Sequence, residues 1–108
     1  MVISRELQQI INRYSNELVQ LGIHPERLLI YGSHSTGNAR HDSDIDLIVI
    51  SKDWEKYTEL ERLEKLGLAA ARILEPVQAK GFTPLELESN QLSPFWEYIF
   101  REVASPIA

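Results

Sequence analysis

Hydrophobic residues along this chain recur with helical spacing in some segments and form short continuous runs in others. Between Ser4 and Gly22 the apolar positions are three or four residues apart, which predicts an amphipathic helix capped by Ser4. These positions are Leu7, Ile10, Ile11, Tyr14, Leu18 and Leu21. The apolar runs at residues 27–31 and 44–50 each predict a buried strand.

The second half of the chain repeats this alternation. Residues 52–74 are rich in Glu, Lys, Arg, Leu and Ala and predict mainly helix, interrupted at Gly67. Residues 75–82 favour an extended edge strand. Thr83 and Ser93 each precede a proline, a pattern typical of a helix start. The order α-β-α-β-α-β-α predicts an α/β fold, with one sheet covered by helices, in a single domain over residues 1–108.

Composition and charge narrow the class of protein. The 108 residues carry a formal net charge of −5, which argues against an extensive nucleic-acid surface. The absence of cysteine excludes disulfides and thiolate metal sites. The sequence has no apolar run long enough for a membrane span and no signal-peptide core, so we expect a cytoplasmic protein. Its small size leads us to expect an oligomer or a partner.

Two carboxylates open the second predicted strand. Asp44 and Asp46 are two residues apart, so in a strand they share one face, ~6.6 Å apart along the chain. Oxygen ligands suit Mg²⁺, which keeps waters or substrate phosphates for its other positions. The pair therefore predicts a metal site. The alternative is that both aspartates are turn residues capping the start of the strand.

Gly32 and Ser33 end the first predicted strand, ten residues before Asp44. A glycine there allows close approach of the backbone to a ligand, and a helix starting after it would direct N–H groups at a phosphate. The alternative is a simple strand-to-helix turn. Arg40 and His41 follow in the same polar segment, as candidates to neutralise phosphate charge or contact a base, or as solvated loop residues.

Taken together, Gly32-Ser33, ten intervening residues and Asp44-Ile45-Asp46 resemble the signature of the nucleotidyltransferase superfamily that includes DNA polymerase beta, and in particular its minimal nucleotidyltransferases. The resemblance implies a small mixed sheet flanked by helices. It also implies a two-metal, magnesium-dependent transfer of a nucleoside monophosphate from a triphosphate, with AMP from ATP as the expected case. In that reading Gly32 and Ser33 hold the triphosphate, and Asp44 and Asp46 bind the metal.

The same resemblance implies a third carboxylate on a neighbouring strand. The position where we expect it falls near Gln78, which carries no charge, and Glu75 is the nearest acid. Because these two positions are an odd number apart, a regular strand places them on opposite faces, and a bulge at Pro76 is needed to bring Glu75 round. Glu75 is therefore our candidate for the third catalytic and metal-binding carboxylate.

Three functional hypotheses follow. The first is an enzyme that adenylylates a hydroxyl, with a helical HEPN-type protein, of the kind found in toxin–antitoxin pairs, as the partner that the resemblance implies. The second is a nucleotide-binding or partner-binding subunit with weak or no turnover, because Gln78 replaces the expected acid. The third, a sugar-nucleotide transferase, leaves Gly32-Ser33 unexplained.

The aromatic residues at the end of the chain indicate either core packing or a partner or dimer surface; they are Phe95, Trp96, Tyr98 and Phe100.

Overall fold

One mixed sheet of four strands organises the chain. The computed structural model describes residues 3–32, 44–89 and 91–107. The strands are β1 (Arg27–Tyr31), β2 (Ile45–Ile50), β3 (Val77–Phe82) and a short β4 (Ser105–Pro106). Their order across the sheet is β3-β2-β1-β4; β2 runs parallel to β3, while β1 is antiparallel to both β2 and β4. This confirms the mixed sheet, and β4 is a strand that the sequence pattern did not predict.

Two long helices cover one face of the sheet. Helix α1 (Arg5–Gln20) begins where the Ser4 hydroxyl accepts a hydrogen bond from the Leu7 N–H at 3.1 Å, as predicted. Helix α2 (Glu59–Ile73) packs beside α1. The buried Tyr14 hydroxyl donates to the Leu66 carbonyl at 2.9 Å and so ties the two helices together. The largest buried cluster of apolar side chains lies between these helices and the sheet.

The segment from residue 52 to residue 74 differs from its prediction. It is not one helix interrupted at Gly67; a 3₁₀ turn (Lys52–Lys56) precedes α2, and α2 continues through Gly67 without a break. The separation has a local cause, because Thr58 and Glu61 form a reciprocal capping box that starts α2. The 3₁₀ turn places Trp54 in the core, where the indole Nε1 donates to the Val49 carbonyl at 3.1 Å.

The C-terminal segments cover the opposite face. They are α3 (Pro84–Glu88), α4 (Pro94–Tyr98) and a π-helical turn (Ile99–Val103). The predicted caps at Thr83 and Ser93 are confirmed. A second buried cluster lies beneath these segments, made of Leu29, Ile48, Ile50, Phe82 and Ile99.

Strand β2 supplies side chains to both clusters in strict alternation. Leu47 and Val49 point to α1 and α2, whereas Ile48 and Ile50 point to the C-terminal segments. Asp46 therefore shares the face of Ile48, the C-terminal face. Among the described residues, no helix is both long and apolar enough to span a membrane.

Candidate active site

Asp44 and Asp46 lie together at one end of the sheet. Asp44 immediately precedes β2 and is exposed, while Asp46 is the second residue of β2 and is partly buried. Within the sheet, Asp46 has Tyr31 as its neighbour on β1 and Gln78 as its neighbour on β3. Because cross-strand neighbours share a face, Tyr31, Asp46 and Gln78 form one row across the three strands.

Gln78 is the residue of β3 that lies next to the two aspartates. It is level with Asp46 across the parallel pair β2–β3, and its amide Nε2 donates a hydrogen bond to Asp44 Oδ2 at 3.0 Å. One neutral side chain is thus in register with one carboxylate and hydrogen-bonded to the other. This contact orients the exposed Asp44, which lies just outside the regular strand.

Gly32 brings the backbone directly against Asp46. Its φ is +73°, a left-handed conformation that side chains with a Cβ rarely adopt. A Cβ added at Gly32 would lie 3.2 Å from Asp46 Cγ and would overlap Asp46 Oδ2. From the sequence we expected this glycine to allow close approach of a ligand; the structure shows that it allows close approach of the Asp46 carboxylate.

Tyr31 is a site neighbour that the sequence analysis did not identify. Burial, together with the negative charge of Asp46, raises the pKa of the Tyr31 hydroxyl to about 12. The Tyr31 ring also packs edge-on against Trp96, with 5.5 Å between the ring centroids. The only sequence signal for Tyr31 is its position at the end of β1, and that becomes informative once the antiparallel register with β2 is known.

Glu75 is not brought to the two aspartates. Its Oε1 lies 3.7 Å from Arg13 Nη2 on α1, the helix that covers the face opposite to Asp46. Glu75 precedes the strand: the Val77 N–H donates back to the Glu75 carbonyl at 2.8 Å in a tight turn at Pro76, and the regular pairing of β2 with β3 begins only at Ile45 and Val77. Accordingly, the described part of the chain contains no group of three or more His, Asp or Glu side chains able to hold a metal.

The two remaining carboxylates still fit a magnesium ion. Mg²⁺ is commonly bound by one or two protein carboxylates, with waters and substrate phosphates filling its other positions. Asp44 and Asp46 lie on one face at one end of the sheet, so they provide such a pair. Ser33 and Arg40, the other predicted nucleotide-binding residues, lie outside the described residues.

Comparisons with known proteins identify the fold. The crystal structure of the toxin-antitoxin with AMP-PNP contains a chain that is 18% identical to this one, with a TM-score of 0.56 over 85% of this chain and 70% of that chain. The crystal structure of a candidate nucleotidyltransferase from Sulfolobus solfataricus is also 18% identical, with a TM-score of 0.50 over 83% of this chain and 84% of that chain. No curated protein sequence matches the chain significantly.

A match to a family model identifies the family of the chain, whereas these structural similarities identify only its fold. The model described as a nucleotidyltransferase domain matches residues 11–90, which span β1, β2 and β3 and include both aspartates and Gly32. This match confirms the resemblance given by the Gly-Ser and Asp-x-Asp signature. The chain belongs to the nucleotidyltransferase domain family.

Proposed function

We propose that this protein transfers AMP from ATP to a hydroxyl group of an acceptor in a magnesium-dependent reaction. The observation that carries the proposal is the placement of Asp44 and Asp46 on one face, beside the tight backbone turn at Gly32. Family membership supports the class of reaction. The AMP-PNP in the toxin–antitoxin crystal structure supports an adenine nucleotide.

In the proposed reaction, the acceptor oxygen forms a bond to the α-phosphorus of ATP. The bond from that phosphorus to the oxygen bridging to the β-phosphate breaks, pyrophosphate leaves with the electron pair, and the hydroxyl proton passes to water. Asp44 and Asp46 would hold one or two divalent cations, which would supply positive charge to offset the negative charge of the reacting phosphate. Gly32 keeps the turn after β1 close to Asp46, and Ser33 and Arg40 would bind the triphosphate from the segment that follows.

Replacement of each aspartate by asparagine tests the proposal. Asp44→Asn and Asp46→Asn keep the shape of the side chain but remove the negative charge that a cation requires. We expect each variant to lose at least about a hundredfold in transfer of labelled AMP, since electrostatic groups at reacting phosphates contribute this much or more. Pyrophosphate release measured in the same reaction checks the stoichiometry.

The matched control removes a carboxylate elsewhere. Glu55 is exposed on the 3₁₀ turn, so Glu55→Gln makes the same chemical change and should retain full transfer. Equal label incorporation by wild type, Asp44→Asn and Asp46→Asn would contradict the proposal. Circular dichroism of each variant establishes that any loss is not caused by unfolding.

A second candidate function is a nucleotide-binding or partner-binding subunit without efficient turnover. It is favoured by one specific observation: the described residues bring together two carboxylates, while the neutral Gln78 is hydrogen-bonded to Asp44 and Glu75 is paired with Arg13. Calorimetry with Mg²⁺ and ATP separates the two functions. Saturable binding without label transfer or pyrophosphate release would support the subunit, whereas transfer supports the enzyme.

The proposed acceptor of AMP is a second protein. We assign it to a helical protein of the HEPN type, bound in a hetero-oligomer in the cytoplasm, as in a toxin–antitoxin pair. The fold similarity to a chain of a toxin–antitoxin crystal structure supports this choice. Exposed apolar side chains are available for such a contact, including Leu60 on α2, 66% exposed, and Phe95 on α4, 58% exposed. The label-transfer assay run with and without such a partner tests it.

A further inference from the structure

Gln78 is the side chain of β3 that faces the two aspartates. It stands in register with Asp46 on one side and donates its amide hydrogen to Asp44 Oδ2 on the other. Gln78 and Asp44 are both exposed, so neither is held in place by burial in a core. The hydrogen bond between them is therefore the described contact that selects an orientation for the Asp44 carboxylate.

An amide at this position has two consequences for a cation. As a donor, the Gln78 N–H group satisfies one oxygen of Asp44 and holds that carboxylate on the side of Asp46. As a neutral group, it adds no attraction for a divalent ion, so among Asp44, Asp46 and Gln78 the attraction comes from the two negative charges of the aspartates. A triphosphate brings several more negative charges and can supply ligands beyond those of the two aspartates.

We propose that Gln78 is a positioning residue that orients Asp44, and that its neutrality makes the site take up its divalent cation together with the triphosphate rather than before it. The inference rests on the proposed function, because it concerns the same two aspartates. It goes beyond that function by fixing the order of binding and the residue responsible for it. Without nucleotide, the protein is expected to bind divalent cations weakly.

Binding of Mn²⁺, followed by its electron paramagnetic resonance signal, tests the inference without any measurement of turnover. Wild-type protein should bind Mn²⁺ weakly when alone and saturably when α,β-methylene-ATP, which cannot be transferred, is present. Gln78→Glu adds a negative charge beside both aspartates. It should therefore tighten binding of Mn²⁺ to the nucleotide-free protein by about tenfold or more.

Two further variants separate charge from orientation. Gln78→Leu removes the donor without adding charge, and it should weaken Mn²⁺ binding in the presence of α,β-methylene-ATP several-fold because Asp44 is no longer oriented. Gln9→Glu adds the same charge on the exposed side of α1, across the sheet from the aspartates, and it should leave both affinities unchanged.

The outcomes distinguish this inference from the proposed function. The role of Gln78 is refuted if Gln78→Glu binds Mn²⁺ no more tightly than wild type. It is also refuted if wild type binds Mn²⁺ as tightly alone as with the nucleotide analogue. Neither result excludes nucleotide transfer, which can still be observed. If the analogue never promotes Mn²⁺ binding, and Asp44→Asn has no effect on the signal, the proposed function itself fails.

Discussion

At the scale of single residues, Gly32 has little freedom to change, because both its backbone conformation and the space around it require a glycine. An alanine there must adopt a φ of +73° and must also displace the Asp46 carboxylate. The left-handed conformation alone costs about 1–2 kcal/mol for a residue with a Cβ. We therefore expect Gly32→Ala to lower the free energy of unfolding by at least this amount, measured by urea denaturation, and to abolish AMP transfer because Asp46 is moved.

Gly67 provides the matched control for this change. It lies within α2, its φ is not positive, and a Cβ added there meets no atom within 4 Å. Gly67→Ala should thus stabilise the protein by up to about 1 kcal/mol through helix propensity, with unchanged transfer. If both substitutions had the same effect on stability, the close contact between Gly32 and Asp46 would not be a constraint on the fold.

At the scale of elements, an ion pair between the buried Arg62 and the partly exposed Glu86 joins α2, β3 and α3. Arg62, 7% exposed, donates to both carboxylate oxygens of Glu86, at 2.8 and 3.1 Å, and to the Gly81 carbonyl. Burial by itself would raise the pKa of Glu86, but the hydrogen bonds from Arg62 and the Thr83 N–H, together with the charge of Arg62, outweigh it and lower the pKa. The folded state therefore favours the ionised carboxylate.

The sign of the pH dependence follows from this lowered pKa. The stabilisation from Glu86 is complete above the pKa of the unfolded chain, about 4.3, and is lost as the pH falls through the lower pKa of the folded state. At neutral pH, Glu86→Gln should cost about 1–3 kcal/mol because Arg62 keeps only part of its hydrogen bonding. Below the usual glutamate pKa, the difference between wild type and variant should shrink.

Urea denaturation at both pH values measures this difference. Glu88→Gln is the control, because Glu88 is an exposed carboxylate on the same short helix and has no described partner among the ion pairs. A constant gap between wild type and Glu86→Gln at all pH values would mean that the ion pair contributes nothing and that the variant is destabilised for another reason.

The elements that the sequence predicted are those with a strong local signal. The helical spacing of α1, the apolar runs of β1 and β2, and the side-chain caps before α1, α3 and α4 all act within a few residues of the chain. Strand β4 has two residues and exists because β1 offers it an edge, a long-range condition that no local pattern contains. Gly67 suggested a break that the rest of α2 overrides.

The residues of the candidate site also fall into those placed by local spacing and those placed by contacts between distant parts of the chain. The closeness of Asp44 and Asp46 could be predicted because residues two apart in extended chain face the same side regardless of what surrounds them. Tyr31 and Gln78 join them only through the pairing register of three strands, which the sequence does not state. Glu75 instead pairs with Arg13 on α1, a contact between residues far apart in the chain that no local pattern contains.

At the scale of the whole molecule, the sheet separates two cores that share its strands. The chain has one tryptophan for each: Trp54 is fully buried beneath α1 and α2, and Trp96 packs against Phe82 on the C-terminal face. Since alternate residues of β2 belong to opposite cores, neither core can lose its packing while the other keeps an intact strand. The two cores should therefore unfold as one cooperative unit.

Two single-tryptophan variants test this cooperativity. Trp96→Phe leaves Trp54 as the reporter of the first core, and Trp54→Phe leaves Trp96 as the reporter of the second. Within each variant, the urea midpoint from fluorescence should equal the midpoint from far-ultraviolet circular dichroism. The two variants will differ from each other in stability, because Trp54→Phe also loses the hydrogen bond to the Val49 carbonyl. A Trp96 transition at lower urea than the loss of secondary structure would show instead that the C-terminal segments detach first. Tyr31, which lies next to Asp46, would then lose its packing against Trp96 before the sheet unfolds.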